Sequence, residues 1–248
     1  MVVEIVVCSA DDAVAAERGG ARRLELCAAI ELGGLTPSVG SLLATKRHCG
    51  LPVISMVRPR GAGFAYSAVE FETMQEDVWT LVEAGTDGIV TGVLQESGQI
   101  DAARAGALRM MFPTVPFVFH RAFDATPDPF RSLDVLIELG YTRVLTSGQR
   151  ARGTEAVELL KQLHEHADGR IEILPAGGLR SANVAEFVQQ TGLDQVHLAP
   201  FELLPDLSTS GRREIIFGMT ELADEGSYRR TDADEVRRVV EAATYPAV

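Results

Sequence analysis

The chain has 248 residues, 46% of them hydrophobic and 23% charged, and carries a formal net charge of −12. This is the make-up of a globular protein with a large core, and the acidic balance excludes a protein built to grip nucleic acid or an anionic membrane. No apolar run approaches the roughly 20 residues that span a bilayer.

Met1-Val2-Val3-Glu4 lacks the basic region of a secretory signal. The three cysteines are scattered and form no CxxC motif, so no disulfide framework is expected and the chain reads as reduced and cytoplasmic.

From end to end, short apolar runs bounded by Gly, Pro or Asp alternate with segments of helical period. Strands are predicted over Val2–Val7, Arg23–Cys27, Val53–Arg58, Gly88–Thr91, Val115–His120, Arg143–Thr146, Ile171–Pro175 and Gln195–Leu198. Helices are predicted over Ala10–Arg18, Val39–His48, Phe71–Ala84, Asp101–Met110, Pro129–Leu139, Thr154–His166 and Ala182–Thr191, and Asp232–Ala243 closes the chain. Gly85 and Gly140 stop two of them, and Thr231-x-x-Asp234 has the form of a capping box for the last.

Strands alternating with helices demand a parallel sheet. A repeat of about 30 residues over this length fits a single-domain (β/α)8 TIM barrel spanning residues 1–248. An open doubly wound sheet fits less well, because the first strand runs into Cys8-Ser9-Ala10-Asp11 and not into a glycine-rich phosphate fingerprint. The long connection from Pro200 to Arg230 reads as a lid, an oligomer contact or a mobile loop.

In such a barrel the carboxyl ends of the strands build the active site. The fifth strand ends in Phe119-His120-Arg121, with Asp124 just beyond. Strand alternation sends His120 inward and Arg121 to the opposite face. By the same period Glu25 and Cys27 point into the barrel, and Met56, Arg58 and Arg60 share a face. Glu4 is a carboxylate inside an apolar strand and needs a partner. His197 lies in the last strand and could face either way.

Glu25 and His120, with Asp124 beside them, are the candidates for proton transfer. Arg58 and Arg60 would hold a carboxylate or phosphate, or else form ion pairs with Glu25 or Asp124. Ser147 and Gln149 end the sixth strand among small polar residues. Gly177 and Gly178 after the seventh either offer backbone N–H groups to an anion or make a tight turn. Cys8 and Cys27 end neighbouring strands, where a thiol pair could hold Cu(I) or serve as small buried hydrophobes.

Glu25-Leu26-Cys27-Ala28-Ala29, Gly33-Gly34-Leu35-Thr36-Pro37-Ser38, Arg58-Pro59-Arg60-Gly61, Phe119-His120-Arg121-Ala122-Phe123-Asp124 and Leu145-Thr146-Ser147-Gly148-Gln149 together resemble the CutC family. The resemblance runs collinearly over essentially the whole chain. It implies a cytoplasmic (β/α)8 barrel, a homo-oligomer (dimer or tetramer), with the family's assigned role in copper homeostasis. It also implies that Glu25, Cys27, Arg58, Arg60, His120, Arg121, Asp124, Ser147 and Gln149 gather at one site. Positions where some members carry cysteine are Val6, Val7 and Ala65 here, which leaves Cys27 with Cys8 as the thiols for Cu(I). Two functions are therefore expected in outline: copper binding or handling, or metal-independent acid–base catalysis on a small anionic molecule.

Overall fold

The structure, a computed structural model, describes residues 1–212, 215 and 226–244. Eight parallel strands form the barrel wall: β1 (Val2–Val7), β2 (Arg23–Leu26), β3 (Val53–Met56), β4 (Gly88–Thr91), β5 (Phe117–Phe119), β6 (Arg143–Thr146), β7 (Glu172–Pro175) and β8 (Gln195–Leu198). Each pairs with its sequence neighbour up to β7, β1 pairs with β8, and β7 and β8 lie together without sharing a ladder. The fold is thus a nearly closed (β/α)8 barrel. Around it run α1 (Ala10–Arg18), α2 (Val39–His48), α3 (Ala68–Glu83), α4 (Ala102–Met111), α5 (Pro129–Glu138), α6 (Val157–Ala167), α7 (Val184–Thr191) and α8 (Ala233–Thr244).

The period of two along each strand divides the core in two. Outward residues such as Ile5, Leu24, Leu26, Ile89, Phe117 and Phe119 pack with the helices into one large cluster. Inward residues Val6, Cys27, Ile54, Met56, Val90, Val118, Leu145, Leu174 and Ala176 fill the barrel itself. The register places Glu4 beside Arg23 and His197, and Val6 beside Glu25, so these side chains enter the same interior in stacked layers. Glu25 and Cys27 therefore point inward, and Leu24 and Leu26 outward, as alternation predicts.

Several ends differ from the sequence reading. β5 is only Phe117–Phe119, because His120 opens a short 3-10 turn over Arg121–Ala125. β3 stops at Met56, and Arg58 and Arg60 lie in the loop that follows. α3 begins at Ala68, where Ser67 and Glu70 form a reciprocal capping box. The last helix is capped by Asp232, which accepts the backbone N–H groups of Asp234 and Glu235, while the Thr231 N–H goes to Asp12. The long connection contributes an antiparallel hairpin, β9 (Phe201–Pro205) with β10 (Ser227–Thr231). Most of the residues between those two strands lie outside the described set.

Candidate active site

A cavity of about 490 Å³ opens at the carboxyl ends of the strands, lined among others by Glu25, Met56, Arg58, His120, Arg121, Gly177, Gly178 and His197. The strand layers explain its chemistry. His197 pairs with Glu4 in the ladder, Glu25 belongs to the inward layer just above them, and all three side chains are buried.

Glu4 is gripped from two sides. Arg23 donates to its Oε2, and His197 Nδ1 lies 2.7 Å from its Oε1. The other ring nitrogen, Nε2, lies 4.0 Å from Glu25 Oε1. One imidazole is thus held between two carboxylates.

Their titration diverges. Burial works to raise the pKa of Glu4, but the hydrogen bond from His197 and the charge of Arg23 overcome it and bring it down to about 2. Glu25 lacks such a grip. Burial raises it to about 7, with the charge of Glu4 adding to the rise and that of His197 opposing it. Burial pushes His197 down, yet the charges of Glu25 and Glu4 and the hydrogen bond to Glu4 raise its pKa overall.

Ligand atoms of Glu4, Glu25 and His197 lie within 4.8 Å of one another, close enough to share a metal ion. The Arg23 guanidinium already meets Glu4 there, and oxygen and imidazole donors suit a harder ion than Cu(I). The soft donors are elsewhere. Cys8 Sγ and Cys27 Sγ are 3.8 Å apart, and both are free thiols. A hydrogen bond from Cys27 lowers the pKa of Cys8, while its partner Cys27 is raised by that bond and by burial. Met56 belongs to the same interior cluster as Cys27, with Cys8 packed against it. This donor set fits a soft, low-coordinate ion.

His120 is buried, and its Nδ1 accepts the backbone N–H of Ala122 at 3.1 Å. Burial and the nearby charge of Arg58 hold its pKa down to about 3, so the ring is neutral across the physiological range. A Cβ added at Gly92 would fall 2.5 Å from His120 Cε1 and Nδ1. Gly92→Ala is expected to unseat the imidazole, with a loss of about 1–3 kcal/mol in urea denaturation and a shifted His120 ring signal in NMR.

The remaining candidates separate. Arg58 lines the cavity, but its charge is spent on the carbonyls of Leu32, Gly34 and Ala62 at 2.8–3.1 Å, not on Glu25 or Asp124. Arg60 does not line this cavity. It pairs with Glu70 at 2.5 Å and with the carbonyls of Gly61, Gly63 and Ala65, because the loop after β3 curls round it.

Asp124 accepts from Thr146 Oγ1, from the Ser147 and Gln149 backbone N–H groups and from Arg121 Nε. Gln149 Nε2 donates to the Thr126 carbonyl. Asp124, Ser147 and Gln149 thereby knot the ends of β5 and β6 beside the cavity and do not line it. Arg121 does line it, contrary to alternation, because the strand has already given way to the 3-10 turn. His197 is the member that sequence reasoning left open. Its signal is alternation: Gln195 and His197 take one face of the strand, and Val196 and Leu198 the other.

Comparison with known proteins agrees with this architecture. The family model of the CutC family matches residues 1–201. A CutC family protein of Treponema denticola is 43% identical over 240 residues, covering 97% of this chain and 98% of its own. A human protein named copper homeostasis protein cutC homolog is 38% identical over 235 residues, covering 95% of this chain and 86% of its own. The crystal structure of a CutC protein from Streptococcus agalactiae superposes with a TM-score of 0.76 at 34% identity, covering 79% of this chain and 97% of that one. The chain belongs to the CutC family.

Proposed function

We propose that this protein is an enzyme that performs acid–base chemistry on a small anionic molecule in the barrel mouth. The observation that carries the reading is Glu25, a buried carboxyl group on the cavity wall that titrates near neutrality, at about 7. A group poised there can both take and return a proton at working pH, which an ordinary surface carboxylate cannot do. Burial sets its protonation, with His197 behind it opposing the rise and Glu4 adding to it.

The test is a screen of phosphorylated and carboxylated metabolites for binding and turnover. Glu25→Gln is expected to lower turnover of a responding compound by about 10²-fold or more. If no compound binds or turns over, or if neither Glu25→Gln nor His120→Ala changes either quantity, the reading falls.

The thiol pair supports a second reading, Cu(I) held by Cys27 with Cys8, in keeping with the name of the human relative. The reduced protein would then retain one Cu(I) per chain against a chelator such as bicinchoninate, and Cys27→Ser would lose it. A wild-type protein that gives up its copper fully to the chelator overturns this reading. The bound ion would supply thiolate-bound Cu(I) for transfer, and the role of this chain's residues is to present two thiols on adjacent strand ends.

A cytoplasmic location is part of both readings and is supported by three free thiols. So is a homo-oligomer, a dimer or tetramer, supported by Leu203, Leu207 and Tyr228 standing exposed on and beside the hairpin. Light scattering on the purified protein reads the oligomer directly. Among the described residues no helix is long and apolar enough to cross a membrane.

A further inference from the structure

We infer that the cavity is built for proton transfer beside a carbonyl group, with Glu25 as the base and the Nε2–H of His120 as the hydrogen-bond donor to the carbonyl oxygen. The inference rests on the acid–base reading above, takes Glu25 for its place on the cavity wall with His120, and names the substrate class: a small aldehyde or ketone that carries an anionic group.

The tautomer follows from geometry. A backbone N–H can only donate, so His120 Nδ1, which accepts from Ala122 at 3.1 Å, holds no proton. The ring hydrogen is therefore on Nε2. That atom is buried and has no hydrogen-bond partner among the described residues, although the residue lines the cavity. Buried donors are almost always satisfied, and one left unpaired at a cavity wall marks where a ligand acceptor belongs.

The ring is also fixed in place. It packs between the rings of Phe64 and Phe119 at 5.0 and 6.0 Å and against Gly92. The Nε of Arg58, another residue of that wall, is a second buried donor without a partner among the described residues. Glu25 and His120 line the same cavity, and a neutral imidazole N–H together with a carboxylate base is the pair of groups that enolisation requires.

The anionic part of the substrate has its own partners. Gly177 and Gly178, with φ of 90° and 77°, make the turn after β7 and line the cavity with Arg121 and Arg180. Without a Cβ, two glycines at the wall let the backbone come close to a bound anion.

In the step itself, the Glu25 carboxylate takes the proton from the carbon next to the carbonyl. The C–H electron pair becomes the new C=C bond, and the carbonyl π pair moves onto oxygen, where it accepts the His120 Nε2–H. The proton on Glu25 then exchanges with solvent, and a proton returns to the same carbon as the C=C pair forms the C–H bond and the oxygen pair restores the carbonyl. No redox partner is needed, and the imidazole stays neutral.

The experiment is proton NMR in D2O with dihydroxyacetone phosphate, glyceraldehyde phosphate, pyruvate and acetoacetate. The wild-type protein is expected to wash deuterium into the carbon next to the carbonyl of at least one probe, and the phosphate and carboxylate arms tell which anion is read. Glu25→Gln should slow that exchange by about 10²-fold or more. His120→Ala should slow it by about 10²–10³-fold, and His120→Gln, which keeps an N–H donor, should recover part of the loss.

Nitrogen NMR of the wild-type ring keeps the inference falsifiable if a variant fails to fold. The Nε2–H tautomer should persist unchanged from pH 8 to pH 5. A charged ring or an Nδ1–H tautomer in that range overturns the inference. So does turnover of some metabolite in the screen with no exchange from any of these four probes, an outcome that leaves the acid–base reading standing. Absence of both binding and exchange removes both.

Discussion

Glu4→Gln is expected to lower stability by about 3 kcal/mol at pH 7, near the lower bound for breaking a buried ion pair from one side. Glu4 is 2% exposed and is the common partner of Arg23 and His197. The glutamine keeps the shape and an acceptor, but it removes the carboxylate charge that the Arg23 guanidinium meets, and the bond of Arg23 to Gln195 at 2.9 Å is to a neutral group. His197 can shed its proton and escape part of the penalty; the arginine cannot.

The pH dependence follows from the folded-state pKa of about 2 against 4.5 for the free side chain. Between those values the unfolded chain binds more protons. The stabilisation by the ionised Glu4 is therefore complete above pH 4.5 and is lost as pH falls towards 2. Urea titrations at several pH values should show the two proteins far apart at pH 7 and converging in acid. A difference that stays constant with pH would mean that the glutamine disturbs packing and not charge.

The barrel was legible because both faces of its strands carry their own pattern. Leu24 and Leu26 alternate with Glu25 and Cys27, and the turn and cap residues fall where the chain must reverse. What alternation could not reach is the chemistry beyond the last laddered residue. It governs Val118 and carries over to His120, yet fails at Arg121, since a 3-10 turn has begun by then.

The arginines misled for a different reason. Arg58 and Arg60 look like anion ligands by residue type, but Arg58 bonds the carbonyls of Leu32, Gly34 and Ala62, and Arg60 bonds Glu70 and the carbonyls of Gly61, Gly63 and Ala65, which no sequence pattern displays. Asp124 likewise satisfies itself on the Thr146–Gln149 turn. The proton on His120 depends on one backbone N–H and on burial. The role first assigned to it, sharing proton transfer with Glu25, therefore shifts in the proposed mechanism to donating a hydrogen bond. Cys8 and Cys27 were placed together by strand adjacency, and their sulfurs do meet at 3.8 Å.

Glu25→Gln is expected to act in the opposite direction to Glu4→Gln, stabilising the protein by about 3 kcal/mol above pH 7. Its folded pKa of about 7 lies above the free value of 4.5, so here the folded state binds more protons between the two. Wild-type stability from this group is therefore intact below pH 4.5, falls as pH rises through the window, and levels off once the folded pKa is passed. The neutral amide escapes that cost, so the advantage of the variant should be absent near pH 4 and should grow to its full size by about pH 8. Two carboxylates on either side of one imidazole thus give mirror-image profiles in the same urea experiment. A structural role for Glu25 predicts lost stability on substitution at every pH, and that result would remove the ground for reading it as a base. Stability gained at pH 8 together with turnover lost is instead the signature of a carboxylate kept at a structural cost because its proton is used.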